Sequence, residues 1–320
     1  MTHIGVILNP KSRRNRGRAD AMVEAMKRCL DTQGEVYACG DPESLDEALI
    51  ALKEAQVSVL AICGGDGTFG YVMSHAERVF GTQGLPQIAL LRGGTMNTTA
   101  NGLGVAKGSP LHLLKRLIQD LESEGELRVI KRPLMRGASR LGCLFGTGLV
   151  ARYLEEYYRR GQQEPTPWTA FTTLSLAAGS ALVKGPLITK LAAPDRMELT
   201  LNGRTLPPRD YVTVAAGTVP EFGLGFAPFP KCLEDSESFD MLAASINPAA
   251  FLIDLMRMRT GRSLDPAHGF MERTQQLTLT PCDGSEELLV MFDGDVMKLP
   301  APLCVSVGPI AEIILGADAP

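Results

Sequence analysis

The sequence predicts an α/β first domain with a doubly wound, mostly parallel sheet, followed by a β-rich, sandwich-like second domain. Three observations carry this reading. Over the first third, short apolar runs alternate with stretches whose apolar residues recur at helical spacing, the pattern of a parallel sheet covered by helices. Near residue 126 that alternation stops and short strand segments follow one another. Asn202-Gly203, between Leu-Thr-Leu and Thr-Leu, is a two-residue hairpin signal of the kind that joins antiparallel strands.

In the first domain, 4–8 is an apolar run closed by Asn9-Pro10. Met22, Met26, Cys29 and Leu30 give 19–32 helical spacing, and a strand-like segment follows at 35–39. A helix over 44–55 carries Leu45, Ala48, Leu49 and Leu52. The continuous apolar run 57–63 suits a strand buried on both faces. Gly64-Gly65-Asp66-Gly67 breaks it, and a helix follows from Thr68. A further buried strand at 87–91 is broken by Gly93-Gly94. Ser109-Pro110 reads as an N-cap with proline in the first turn of a helix over 111–121. The second half offers strands at 127–130, 143–145, 197–201, 211–215, 239–246, 276–280, 288–292 and 304–307, with helices over 167–183 and 248–259. The domains are placed at 1–125 and 126–304.

The length of 320 residues suits about two domains. Hydrophobic residues make up 45% and charged residues 21%, which argues against disorder. A net charge of −4 and 6% aromatics argue against a nucleic-acid binder, which is usually basic and rich in stacking side chains. The seven cysteines include no CxxC pair, so a zinc site or disulfide framework is not expected and a reducing, cytoplasmic setting is. No signal peptide and no apolar run of about 18 residues is visible, so membrane contact is expected to be peripheral.

Two glycine clusters follow buried strands, Gly64-Gly65-Asp66-Gly67-Thr68 and Gly93-Gly94-Thr95-Met96-Asn97. A third loop, Asn9-Pro10-Lys11-Ser12-Arg13, leaves the first strand at the same sheet edge. Glycine lets backbone N–H groups approach phosphate, and ligands of open α/β sheets bind at the carboxyl ends of strands. Plain turns are the alternative; three such loops, one carrying an aspartate, weigh against it. The chain has neither GxxxxGK[ST] nor GxGxxG. Phosphate charge must then be met by Mg²⁺, N–H groups and arginines.

In order and spacing, Asn9-Pro10-x-Ser12, Gly64-Gly65-Asp66-Gly67-Thr68 and Gly94-Thr95-x-Asn97 resemble the diacylglycerol kinase, sphingosine kinase and ceramide kinase family of lipid kinases. The second half agrees: Val214-Ala215-Ala216-Gly217 through Gly223, Gly225 and Ala227-Pro228 resembles that family's Gly-rich strand and loop, and Phe292-Asp293-Gly294-Asp295 its Asp-Gly-Glu. Gly-Gly-Asp-Gly also occurs in NAD kinases and phosphofructokinases, so the conjunction is what is specific. The resemblance implies a nucleotide-binding first domain to which 305–320 returns, a lipid-binding second domain, and ATP between them. It implies transfer of the γ-phosphoryl group of ATP to a membrane-lipid hydroxyl at the inner face of the membrane. Asn9, Lys11, Ser12, Arg13, Gly64, Gly65, Gly67, Thr68, Gly94, Thr95, Asn97 and Asp295 are the expected ATP-binding residues. Mg²⁺ would be bridged by the phosphates, with Asp66 the protein group considered for it. The base is Asp66 or Asp293, and the sequence leaves both open. A helix-capping turn residue is the alternative for Asp66, and a favoured Asp-Gly turn for Asp293.

The basic run Lys11, Arg13, Arg14, Arg16 and Arg18 reads either as a solvated face or as contacts to phosphates and anionic headgroups. The apolar stretches 168–193 and 251–258 read as cover for the second core or as the border of an acyl-chain entrance. Several positions depart from the family. Arg92 stands for a proline and is expected to add charge beside the phosphates. Thr98, Lys131 and Tyr71 stand where carboxylates are usual, Ala216 for an asparagine, and Asp295 for the glutamate of Asp-Gly-Glu. The magnesium network of the diacylglycerol kinase branch therefore cannot form here in the same way. A ceramide or sphingoid acceptor becomes a live option, as does weak or absent activity.

Overall fold

The computed structural model describes residues 3–123, 126–160, 186–223, 225–247, 250, 254, 257–259 and 262–316. The chain divides into two compact units, Met1–Leu134 with Pro309–Pro320, and Met135–Gly308.

In the first unit, β1 (Ile4–Leu8), α1 (Ala19–Leu30), β2 (Gly34–Ala38), α2 (Pro42–Glu54), β3 (Val59–Cys63), α3 (Asp66–Phe80), β4 (Gln87–Leu90), α4 (Thr98–Gly102) and α5 (Pro110–Glu122) alternate along the chain. The strands lie in the order β2-β1-β3-β4, and every neighbouring pair is parallel. The C-terminal part of β16 (Leu303–Gly316) extends this sheet, Ile313 lying parallel to Ile88. All five residues of β1 and of β3 are buried, as strands covered on both faces must be. Ile4, Val6, Leu8, Val59, Ala61 and Cys63 pack with Met26 and Leu30 of α1 and Leu113, Leu114 and Leu117 of α5. Gly5 points to the opposite face, close under Leu52 of α2. Helices thus cover both faces. Each buried leucine contributes about 1.5–3 kcal/mol. Helix starts follow local chemistry: Asp41 Oδ1 accepts from Ser44 N at 2.8 Å with Pro42 behind it, and Ser109 Oγ accepts from His112 N at 3.3 Å ahead of Pro110.

The second unit carries the end of β5 (Arg128–Gly137), then β6 (Arg140–Gly142), β7 (Leu144–Thr147), α6 (Leu149–Arg160) and α7 (Pro186–Leu191). Next come β8 (Asp195–Leu201), β9 (Arg204–Tyr211), β10 (Thr213–Gly217), β11 (Phe239–Ala244), β12 (Gly269–Thr274), β13 (Gln276–Pro281), β14 (Glu287–Phe292) and β15 (Asp295–Pro300). The N-terminal part of β16, with β13, β8 and β9, forms one antiparallel sheet. A second runs β12-β11-β10-β7-β14-β15, antiparallel throughout. Inward residues of the first, such as Leu199, Leu277 and Val305, meet Phe145, Val214, Met241 and Phe292 of the second in one core. This is sandwich packing. Leu149 of α6, Leu191 and Met258 cover the opposite face of the six-stranded sheet.

The fold class is the expected one, with differences in detail. The segment expected as one strand at 211–215 is divided: Tyr211 ends β9 and Thr213 begins β10. The unit boundary falls within β5, later than residue 125, because that strand is continuous through Arg128–Gly137. The helix expected over 167–183 lies outside the described residues, as does most of the apolar stretch 168–193. Of 248–259, the described residues 250, 254 and 257–259 are helical. Among the described residues no helix is long and apolar enough to cross a membrane.

Candidate functional site

Three loops of the first unit leave the carboxyl ends of β1, β3 and β4 and are bonded to one another. Asn9 Nδ2 donates to Thr68 Oγ1 at 2.9 Å, and its Oδ1 accepts from Lys11 N at 2.9 Å. Ser12 Oγ lies 3.4 Å from the same threonine oxygen. Asn15, fully buried, donates from Nδ2 to the carbonyls of Asn9 at 2.8 Å and Cys63 at 3.1 Å. Burial pushes the neighbouring Cys63 thiol up to about 12, which suits a packing role. The β1 and β4 loops are joined by Arg14, whose N donates to the Gly93 carbonyl and whose Nη1 donates to those of Arg92 and Gly108, at 3.2, 3.3 and 3.0 Å.

The two glycine loops touch directly. A Cβ on Gly94 would lie 2.4 Å from Gly65 Cα, and one on Gly93 would lie 2.9 Å from Gly64 N. Within the second loop Asn97 and Gly94 exchange bonds, Gly94 N to Asn97 Oδ1 and Asn97 Nδ2 to Gly94 O, both 3.1 Å. Asn97 sits at a φ of 52° as the N-cap residue of α4, a conformation asparagine tolerates better than most residues. Its amide is therefore engaged in closing the loop.

Asp66 opens α3. Its Oδ2 accepts from Thr98 N at 2.9 Å and its Oδ1 from Thr99 N at 2.8 Å. Burial pushes its carboxyl above the ordinary range, while the Thr99 and Thr98 N–H groups pull the other way. Gly64, Gly65, Asp66, Arg92, Asn97 and Thr99 line a small pocket of about 20 Å³, room for a water. Gly67 and Thr68 form the first turn of α3, Thr95 is half-buried in the β4 loop, and Lys11 and Arg13 are exposed.

Arg92, expected to add charge beside the phosphates, has its guanidinium held by groups of the fold. It is 6% exposed and lines the pocket beside Asp66 and Asn97, donating from Nη1 to Asn101 Oδ1 at 2.6 Å and from Nη2 to the carbonyls of Ala100 and Val105. The carbonyls at the far end of α4 draw the guanidinium inward. The other departures are absorbed locally. Lys131 pairs with Glu312 at 3.0 Å, the Tyr71 ring lies 4.5 Å from that of His75, and Thr98 serves Asp66 through its backbone.

In the second unit, β14 and β15 are joined by Asp293 and Gly294 at φ 46° and 91°, the left-handed pair of a tight hairpin. Asp293 is only 2% exposed. Its Oδ1 accepts from Cys143 N at 2.9 Å and Leu144 N at 2.8 Å. A Cβ on Gly142 would come within 2.7 Å of Asp293 Oδ2, so that glycine makes the room. Asp295 is half-buried, its side chain 45% exposed and paired with Arg140 at 2.7 Å; burial pushes its carboxyl up and Arg140 pulls the other way. Asp293, expected as one of two candidate bases, is thus buried in strand contacts, and Asp295, expected to bind ATP, is paired with Arg140.

Asn15 and the Thr98 and Thr99 N–H groups are not legible in the sequence as site residues, and Arg14 is named there only as part of the basic run. For Arg14 the signal is its place inside the basic run; Asn15 and the N–H groups carry none in the sequence.

A mostly parallel α/β domain followed by an antiparallel β-rich domain is the architecture of diacylglycerol kinase and NAD kinase structures. Two proteins from Bacillus anthracis str. Sterne share the fold. One, assigned as a diacylglycerol kinase, is 16% identical with a TM-score of 0.70 over 98% of this chain and 97% of that one. The other, a diacylglycerol kinase, is 14% identical with a TM-score of 0.63 over 99% and 98%. An NAD kinase from Archaeoglobus fulgidus, solved with ATP, is 13% identical with a TM-score of 0.51 over 98% and 94%. Residues 3–129 match the family model of the diacylglycerol kinase catalytic domain, so the family resemblance holds over the domain that carries the three loops. No curated protein matches the sequence.

Proposed function

We propose that the protein is an ATP-dependent lipid kinase, transferring the γ-phosphoryl group to a hydroxyl of a ceramide-, sphingoid- or diacylglycerol-type membrane lipid. The observation that carries this is the convergence of three bonded loops at the strand ends with Asp66 at their junction, in the segment that matches the diacylglycerol kinase catalytic domain. ATP is the phosphoryl donor. The lipid oxygen bonds to the γ-phosphorus as its bond to the ADP oxygen breaks, and the hydroxyl proton passes to a carboxylate. Asp66 is that base. It lies at the junction of the three loops, held by the Thr98 and Thr99 N–H groups, and a positioned carboxylate can accept that proton. Asp293 holds the β6–β7 connection instead.

Among the described residues no group of three His, Cys, Asp or Glu could hold a metal ion. Asp66 is the acidic residue of the three loops. That donor set fits Mg²⁺ carried mainly by phosphate oxygens, as is usual for this ion. When bound, it would offset charge on the phosphates. The exposed Lys11, Arg13, Arg16 and Arg18 supply positive charge for phosphates and for an anionic membrane surface at the cytoplasmic side.

The test is a labelled-ATP transfer assay with Mg²⁺ and parallel micelles of ceramide, sphingosine and diacylglycerol, with NAD as the soluble acceptor suggested by the NAD kinase likeness. One labelled lipid is expected. Labelled NAD alone would move the acceptor to a nucleotide, and no labelled product with ATP bound would make the chain a binding protein.

A further inference from the structure

We infer that Arg92 is a positioning residue for Asp66, acting through α4. This helix has five residues, too few to hold its own orientation in water. Its placement must come from its ends. At the N-terminal end, the Thr98 and Thr99 N–H groups donate to the two Asp66 oxygens. At the C-terminal end, the Arg92 guanidinium takes the Ala100 carbonyl, the Val105 carbonyl just beyond the helix, and Asn101 Oδ1. An anion at the first turn and a cation at the last is the arrangement the helix dipole favours. Asn101 passes the constraint on, its Nδ2 donating to the Met96 carbonyl at 3.1 Å within the loop that Asn97 closes. Arg92 itself is anchored, since its carbonyl accepts from Arg14. One rigid unit thus runs from the β1 loop through Arg92 and α4 to the carboxylate. Arg92, bonded at the far end of α4, fixes where Asp66 points.

The effect on turnover rests on the kinase reading above; the effect on α4 does not. Arg92 sits at a φ of 48°, so Arg92→Gly removes the guanidinium while leaving a backbone that glycine adopts freely. Arg92→Lys keeps the charge but loses the forked geometry. The primary readout is amide hydrogen exchange at Thr98 and Thr99, with amides of α5 as the internal reference. In Arg92→Gly, exchange at Thr98 and Thr99 is expected to rise about tenfold relative to α5, with Arg92→Lys intermediate. If a lipid acceptor is phosphorylated, kcat should fall by a similar, about tenfold, factor while KM for ATP moves less than about threefold. Faster exchange without any kinase activity would keep the positioning role and remove the kinase reading. Unchanged exchange at Thr98 and Thr99 relative to α5, in both variants, would overturn the inference whether or not a lipid is phosphorylated.

Discussion

Gly65 and Gly94 meet backbone to backbone: a Cβ on Gly94 would stand 2.4 Å from the Gly65 Cα. Gly94 is thereby required by the neighbouring loop, whatever it contacts in a ligand, whereas a Cβ on Gly65 would meet Gly94 Cα at 3.3 Å. Gly94→Ala must part the two loops. It is expected to cost about 1–3 kcal/mol, as overpacking does, and to weaken nucleotide binding. Thermal unfolding and ATP titration calorimetry check both, and an alanine variant with unchanged stability and affinity would contradict the contact.

Asp293 is predicted to act on stability. Asp293→Ala orphans the buried Cys143 and Leu144 N–H groups, a loss of about 2–4 kcal/mol. The urea midpoint should fall accordingly. The half-buried Asp295, paired with Arg140, is the control, and Asp295→Ala should move the midpoint less than Asp293→Ala does.

Glu156 gives a pH-dependent prediction. It is nearly buried and accepts from Arg159 and Arg160 at 2.6 and 2.5 Å. The Arg159 hydrogen bond, opposed by burial and helped by Arg160, holds its carboxyl down at about 2. An unfolded glutamate titrates near about 4.3. A lowered folded-state value stabilises above the unfolded value, and the gain is lost as pH falls toward the folded one. Glu156→Gln should therefore unfold earlier in urea at pH 7, with the gap to the native chain closing between about pH 4 and 2. A gap that does not change with pH would refute the ion pair as its cause.

Much of the architecture is legible in the sequence. The run Val59–Cys63 followed by glycines marks a buried strand and its ligand-side loop, and Asn202-Gly203 marks the β8–β9 turn, where both residues lie at positive φ. The extent of β9 beyond that turn does not show, because Arg204–Tyr211 faces water almost throughout and carries two prolines, so no alternation appears. Helix α6 leaves a fainter trace, Leu149, Tyr153 and Tyr157 recurring every fourth residue. Within the candidate site, the motifs mark the three loops that the fold brings together but not the directions of side chains. Arg92 turns inward and Asp293 is buried because of partners 8–13 and about 150 residues away. No local pattern reports such partners.

The central claim is that Asp66, at the junction of the three loops, takes the proton in phosphoryl transfer to a lipid. The measurement that tests it most directly is single-turnover transfer from labelled ATP to the preferred lipid, comparing the native chain with Asp66→Asn and Asp293→Asn at equal folded fraction. Asp66→Asn should slow transfer by about 10²–10⁴ with ATP still bound, while Asp293→Asn, once corrected for its stability, transfers at close to the native rate. Full transfer by Asp66→Asn, with the loss appearing in Asp293→Asn instead, would contradict the account.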